Sequence, residues 1–145
     1  MKNLILVIFC SLVMPLMIYS QDEKQANQNE SKSNFSLQRF IKLVEHNNIE
    51  NVSIDLESNT EFLYYMINTT IFKGKLDIEI FDPNNKSQGK FSIETQVNSA
   101  SSERANGVLT DLLKKPEPGK WLIKITPVNA SGEITIDYDV RLNNE

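Results

Sequence analysis

GKLDIEIFDPNNKSQGKFSIET, residues 74–95, and NGVLTDLLKKPEPGKWLIKITPVNASGEITIDYDVRL, residues 106–142, read as strand, turn and strand in succession. Apolar side chains recur at every second position. Leu76, Ile78 and Ile80 alternate with Asp77 and Glu79; Phe91 and Ile93 with Ser92 and Glu94. Trp121, Ile123 and Ile125 alternate with Lys120, Lys124 and Thr126; Ile134, Ile136, Tyr138, Val140 and Leu142 with Glu133, Thr135, Asp137, Asp139 and Arg141. A period of two marks a strand with one face buried and one in water.

Upstream the same rule holds for Val52, Ile54 and Leu56. Phe62 to Ile67 (FLYYMI) breaks it, being apolar on both faces. Such a segment suits a central strand covered on both sides, or one whose outer face meets a partner. Tyr65 shares a face with Leu63 and Ile67, and these three are the candidate contact residues if that face lies open. Residues 35–46 carry two readings. Leu37, Phe40, Ile41 and Val44 sit at helical spacing behind Ser33 or Asn34. The run Phe40 to Val44 also suits a strand that turns at His46-Asn47-Asn48, and the β character of everything after it favours the strand.

Between these runs stand Ser58-Asn59, Lys73-Gly74, Asp82-Pro83-Asn84-Asn85, Asn106-Gly107, Pro116 to Gly119 and Ser131-Gly132. Proline presets φ, glycine accepts positive φ, and Asn or Asp bonds its own backbone, so all six read as turns. Gln96 to Arg104 reads as a Ser- and Asn-rich loop. Seven or eight short strands with such breaks predict an all-β, antiparallel, jelly-roll-like sandwich over residues 35–145.

The chain has 145 residues. Lys2, the apolar run Leu4 to Met17 and the small Ser20 predict a signal peptide over residues 1–20, cleaved between Ser20 and Gln21. Cys10, the only cysteine, follows Phe9 inside the apolar run, so it reads as part of the leader and not as a lipidation site. Cleavage leaves no thiol, hence no disulfide. Residues 21–34 (QDEKQANQNESKSN) are polar almost throughout and predict a disordered tether. The predicted location is secreted or periplasmic. With a net charge of −4 the chain has little attraction for nucleic acid or an anionic membrane.

Three pieces, GKLDIEIFDPNNK, PEPGKWLIKI and ASGEITIDY, together resemble the pre-peptidase C-terminal type of bacterial secreted module over residues 74–140. The resemblance implies a small jelly-roll-like sandwich, a stand-alone relative of modules that usually sit beside a secreted enzyme.

Catalytic equipment is sparse. The only histidine, His46, lies in a predicted turn, and no Gly-x-Ser-x-Gly elbow is present. One histidine without a mature cysteine excludes the usual zinc sets. Asp82 and Asn84 begin like a calcium loop, but Lys86 occupies the next ligand position, and a turn capped by Asp82 explains the same residues without a cofactor. Asp77 with Glu79, and Asp137 with Asp139, are spaced about 6.8 Å apart on a strand, within glycosidase range. Alternating with core residues and sharing the chain with Lys75, Lys120, Lys124 and Arg141, they read as a wet sheet face. Sequons at Asn29, Asn34, Asn51, Asn68 and Asn129 matter only in a host that glycosylates asparagine.

The sequence therefore predicts a non-enzymatic structural or protein-interaction module whose partner is an envelope or extracellular protein. A carbohydrate-binding module, with polysaccharide as partner, is the alternative. It requires two aromatic rings on one exposed face, with Phe62, Tyr64, Tyr65, Phe72 and Trp121 as the available rings. A hydrolase built on the four acids is the remote third.

Overall fold

The computed structural model describes residues 35–95 and 104–143; the leader, the tether and most of the predicted 96–104 loop lie outside the described residues. Among the described residues there are six antiparallel strands: β1 (Phe35–His46), β2 (Glu50–Leu56), β3 (Thr60–Phe81), β4 (Ser87–Glu94), β5 (Ala105–Lys114) and β6 (Gly119–Leu142). Two of them are very long. β3 and β6 pair with each other from Thr60↔Leu142 to Phe81↔Leu122, forming a two-stranded spine.

The other strands flank the two ends of this spine. β1 pairs with the C-terminal half of β6 and β5 with the N-terminal half of β3, completing a first sheet in the order β1-β6-β3-β5. β2 pairs with the N-terminal half of β6 and β4 with the C-terminal half of β3, completing a second in the order β2-β6-β3-β4. The eight strand segments form a sandwich, because the inner faces of the two halves meet. The Tyr65 hydroxyl and the Leu109 side chain lie over Gly89 of β4, while Phe91 and Ile93 lie against Gly107 of β5.

Isoleucine dominates the core. Ile67, Ile71, Ile78, Ile80, Ile123, Ile125, Ile134 and Ile136 are all fully buried, together with Leu63, Tyr65 and Leu76. β-Branched side chains fit the pleated surface, and burying each large aliphatic group stabilises by roughly 1.5–3 kcal/mol.

Residues 35–46 are a strand, as their company favoured. Three of the six predicted turns are not turns. Lys73-Gly74 and Ser131-Gly132 are irregularities inside β3 and β6, and Asn106-Gly107 lies within β5. Gly107 serves packing: a Cβ there would overlap the Phe91 ring. At the other irregularities the phase of the alternation slips by one. Ile71 and Leu76 both point inward although five positions separate them, and so do Pro127 and Ala130, three apart.

The slip corrects the expectation for Leu63, Tyr65 and Ile67. They face the interior and are buried, which leaves them no surface to offer a partner. The outward set of that segment is Phe62, Tyr64 and Met66, all partly exposed. Accordingly, Ile67→Ala should destabilise the fold by about 2–5 kcal/mol in urea unfolding. Met66→Ala should cost less than about half as much. Equal small effects would place Ile67 at the surface instead.

Candidate functional site

The outer face of the first sheet follows directly from the register. Phe62 lies between Arg141 of β6 and Lys114 of β5. Tyr64 lies between Asp139 and Leu112, Met66 between Asp137 and Thr110, and Asn68 between Thr135 and Val108. Ser36, Gln38 and Phe40 of β1 continue these rows beyond β6. One column is therefore aromatic and apolar, and its neighbour carries Asp137 and Asp139.

Phe62, Tyr64, Leu112, Asp139, Val140 and Arg141 line an open groove of about 450 Å³. The Arg141 guanidinium sits 5.9 Å from the centre of the Phe62 ring, and its Nε lies 3.6 Å from Glu61 Oε2. The Gln38 side-chain amide donates to Asp137 Oδ1 at 2.6 Å. Two partly exposed rings, Phe62 and Tyr64, thus share one face. Phe72 is exposed farther along β3, beneath the Arg104 guanidinium at 5.1 Å.

Tyr65 and Trp121 are core residues. Burial, followed by the nearby Asp111 charge, pushes the Tyr65 hydroxyl up to about 12. Trp121 Nε1 donates to the Glu117 carbonyl at 2.8 Å, which ties the β5–β6 turn to the core.

A second surface lies along β1. Among the described residues this strand pairs only with β6, and none of them pairs with its other edge. Phe35 is 51% exposed, Leu37 37%, Phe40 59% and Val44 69%. Phe35 and Leu37 lie opposite Val140 and Tyr138 and so belong to the inward face. They are exposed nonetheless, because the sandwich does not cover this end of β1. The Phe35 ring stays close to Tyr138, with centroids 6.0 Å apart. Phe40 belongs to the outer face. Sequence reasoning missed this strip because helical and strand readings of residues 35–46 distribute the same apolar residues differently.

The remaining candidates occupy separate places. Asp77 and Glu79 lie on the outer face of the second sheet, Asp137 and Asp139 on that of the first, so the four acids do not converge. A hydrogen bond from Ser92, then Lys75 3.2 Å away, holds the Asp77 carboxyl below its ordinary range. His46 Nε2 contacts Glu50 Oε1 at 3.2 Å. Among the described residues no group of three or more His, Cys, Asp or Glu side chains could hold a metal ion, and no helix is long and apolar enough to cross a membrane.

Asp82 and Asn84 form a capped turn. Asp82 Oδ1 accepts the Asn84 and Lys86 amides at 2.9 Å each, and Oδ2 accepts the Gln88 amide at 2.8 Å. Asn85, at φ 59°, completes the reversal. The carboxylate is thus occupied by protein donors, chiefly the Lys86 amide, which lower its pKa from the ordinary 3.8. A lowered pKa contributes stability above the ordinary value and loses it as pH falls through the folded value. Wild type should therefore exceed Asp82→Asn in stability near neutral pH, with the gap closing below about pH 4. Urea unfolding across that range measures it, and a constant gap would contradict the assignment.

No family model and no curated protein matches the sequence. Among solved structures the fold is similar to a chain from the disulfide-linked pili of Bacillus endospore appendages. That match has a TM-score of 0.40 and 9% identity, and covers 78% of this chain and 94% of that one. It is also similar to CBM28, a carbohydrate-binding module specific for non-crystalline cellulose, with a TM-score of 0.40, 10% identity and 76% of each chain covered. At this level of similarity neither protein's role transfers to this chain.

Proposed function

We propose that this chain is a non-enzymatic interaction module, secreted or held in the cell envelope, that binds another protein by strand addition along β1. The observation that carries the reading is the β1 edge that no described residue pairs with, together with Phe35, Leu37, Phe40 and Val44 exposed along it. An unpaired edge presents a row of backbone donors and acceptors to an incoming strand, and alternate side chains supply specificity.

The chemistry of the partner strand follows. Its inward side chains would be apolar, to cover Phe35 and Leu37 and extend the core toward Tyr138. Its outward side chains would lie beside Phe40 and Val44. Arg39 and Lys42 outnumber Glu45 along this strand, a small positive excess that favours an acidic residue on the partner. The predicted leader over residues 1–20 supports export.

The test is capture of a partner from the native envelope fraction, combined with amide exchange on the complex. Strand addition predicts slowed exchange along β1 in the complex, and at least a tenfold weaker capture by the Leu37→Lys/Phe40→Lys double variant, about 1.4 kcal/mol. Capture unaffected by the double variant, or protection confined to other strands, would refute strand addition.

A further inference from the structure

The groove on the outer face of the first sheet is a second binding surface, distinct in chemistry from the β1 edge. We infer that it takes a neutral polysaccharide chain. A sugar ring has two kinds of surface: an apolar C–H face and a rim of hydroxyls. The C–H face stacks on an aromatic ring, and the hydroxyls need acceptors and donors beside that ring.

The groove provides both in adjacent columns. Phe62 and Tyr64 are next neighbours on the outward side of β3, about 6.8 Å apart along the strand. Asp139 lies directly across from Tyr64, and Arg141 directly across from Phe62, on a strand about 4.8 Å away. Tyr64 therefore has a charged hydrogen-bonding group within reach of a sugar stacked on it, while the Arg141 guanidinium, over the Phe62 ring and paired with Glu61, borders the same groove. Asp139 joins none of the ion pairs among the described residues, so its oxygens can accept from hydroxyls. Leu112, paired with Tyr64 on the other side, forms the apolar wall. The groove's 450 Å³ suits a short length of chain and lies within the range of small-ligand sites.

Charge selects the class of polymer. Along the outer face of β6, Asp137, Asp139 and Glu133 outnumber Arg141. This column disfavours polyanionic chains and leaves neutral ones. A protein partner fits less well, because charges flank the apolar strip on both sides, Asp137, Asp139 and Arg141 on β6 and Lys114 on β5, whereas protein contact sites centre on a contiguous apolar patch that is poor in charge.

Affinity electrophoresis of the full chain in gels containing hydroxyethyl cellulose, xylan, galactomannan or alginate tests the inference. Retardation by at least one of the three neutral polymers is expected, together with a loss of at least about tenfold in affinity for Tyr64→Ala and for Asp139→Ala. Asp139 is exposed, so its variant keeps the fold even if the tyrosine variant does not; circular dichroism checks both. Glu79→Ala, on the opposite sheet, should bind as wild type does. Three results would overturn the assignment: no retardation by any neutral polymer, retardation by alginate alone, or equal retardation of wild type and Asp139→Ala. None of them bears on strand addition at β1, which is read from exchange on β1 itself.

Discussion

The backbones of β3 and β6 come into close contact where Gly74 lies against the carbonyls of Val128 and Asn129. Gly74 has φ 80°, and a Cβ on it would collide with both carbonyl oxygens. Asn129, at φ 47°, makes the matching irregularity in β6. Asparagine is among the few side chains that tolerate this left-handed conformation. Bulges bend and twist a strand. Two of them side by side turn one long ribbon into the corner of a sandwich. Without that corner the inner faces of the two halves could not meet, and Tyr65 could not lie over Gly89.

Further contacts hold the corner in place. Asn47 Oδ1 accepts the Asn129 amide at 2.6 Å, and Ser131 Oγ accepts the Glu45 amide at 3.0 Å. Lys73 Nζ reaches Glu45 Oε1 at 2.7 Å, which lowers the Glu45 pKa. These bonds fasten the β1–β2 connection to the bend. β1 and β2 therefore lie end to end along β6, each in a different sheet. One consequence is the open side of the sandwich, where the inward residues Phe35 and Leu37 stay exposed. A second is the continuous outer face carrying Phe62 and Tyr64. Both proposed binding surfaces descend from the same bend.

The alternation made much of this legible. Val52 to Leu56, Leu76 to Ile80, Trp121 to Ile125 and Ile134 to Val140 are strands whose buried face the sequence identifies correctly. Trp121 and the Asp82 turn likewise lie where their neighbours suggested. The corner escaped because glycine and asparagine signal a turn and a bulge alike. Lys73-Gly74 and Ser131-Gly132 read as strand ends, whereas both strands continue through them around the bend. The phase slip was hidden for the same reason. In Phe62 to Ile67 both faces are apolar, so only the three-dimensional path decides that Leu63, Tyr65 and Ile67 go inside. The outward face is the complementary set, displaced by one residue.

The most direct test of this account is the stability of Gly74→Ala measured by urea unfolding. A left-handed backbone and a collision with two carbonyl oxygens predict a loss of at least about 2 kcal/mol. A Gly74→Ala protein within about 0.5 kcal/mol of wild type would contradict the claim that this close approach shapes the fold.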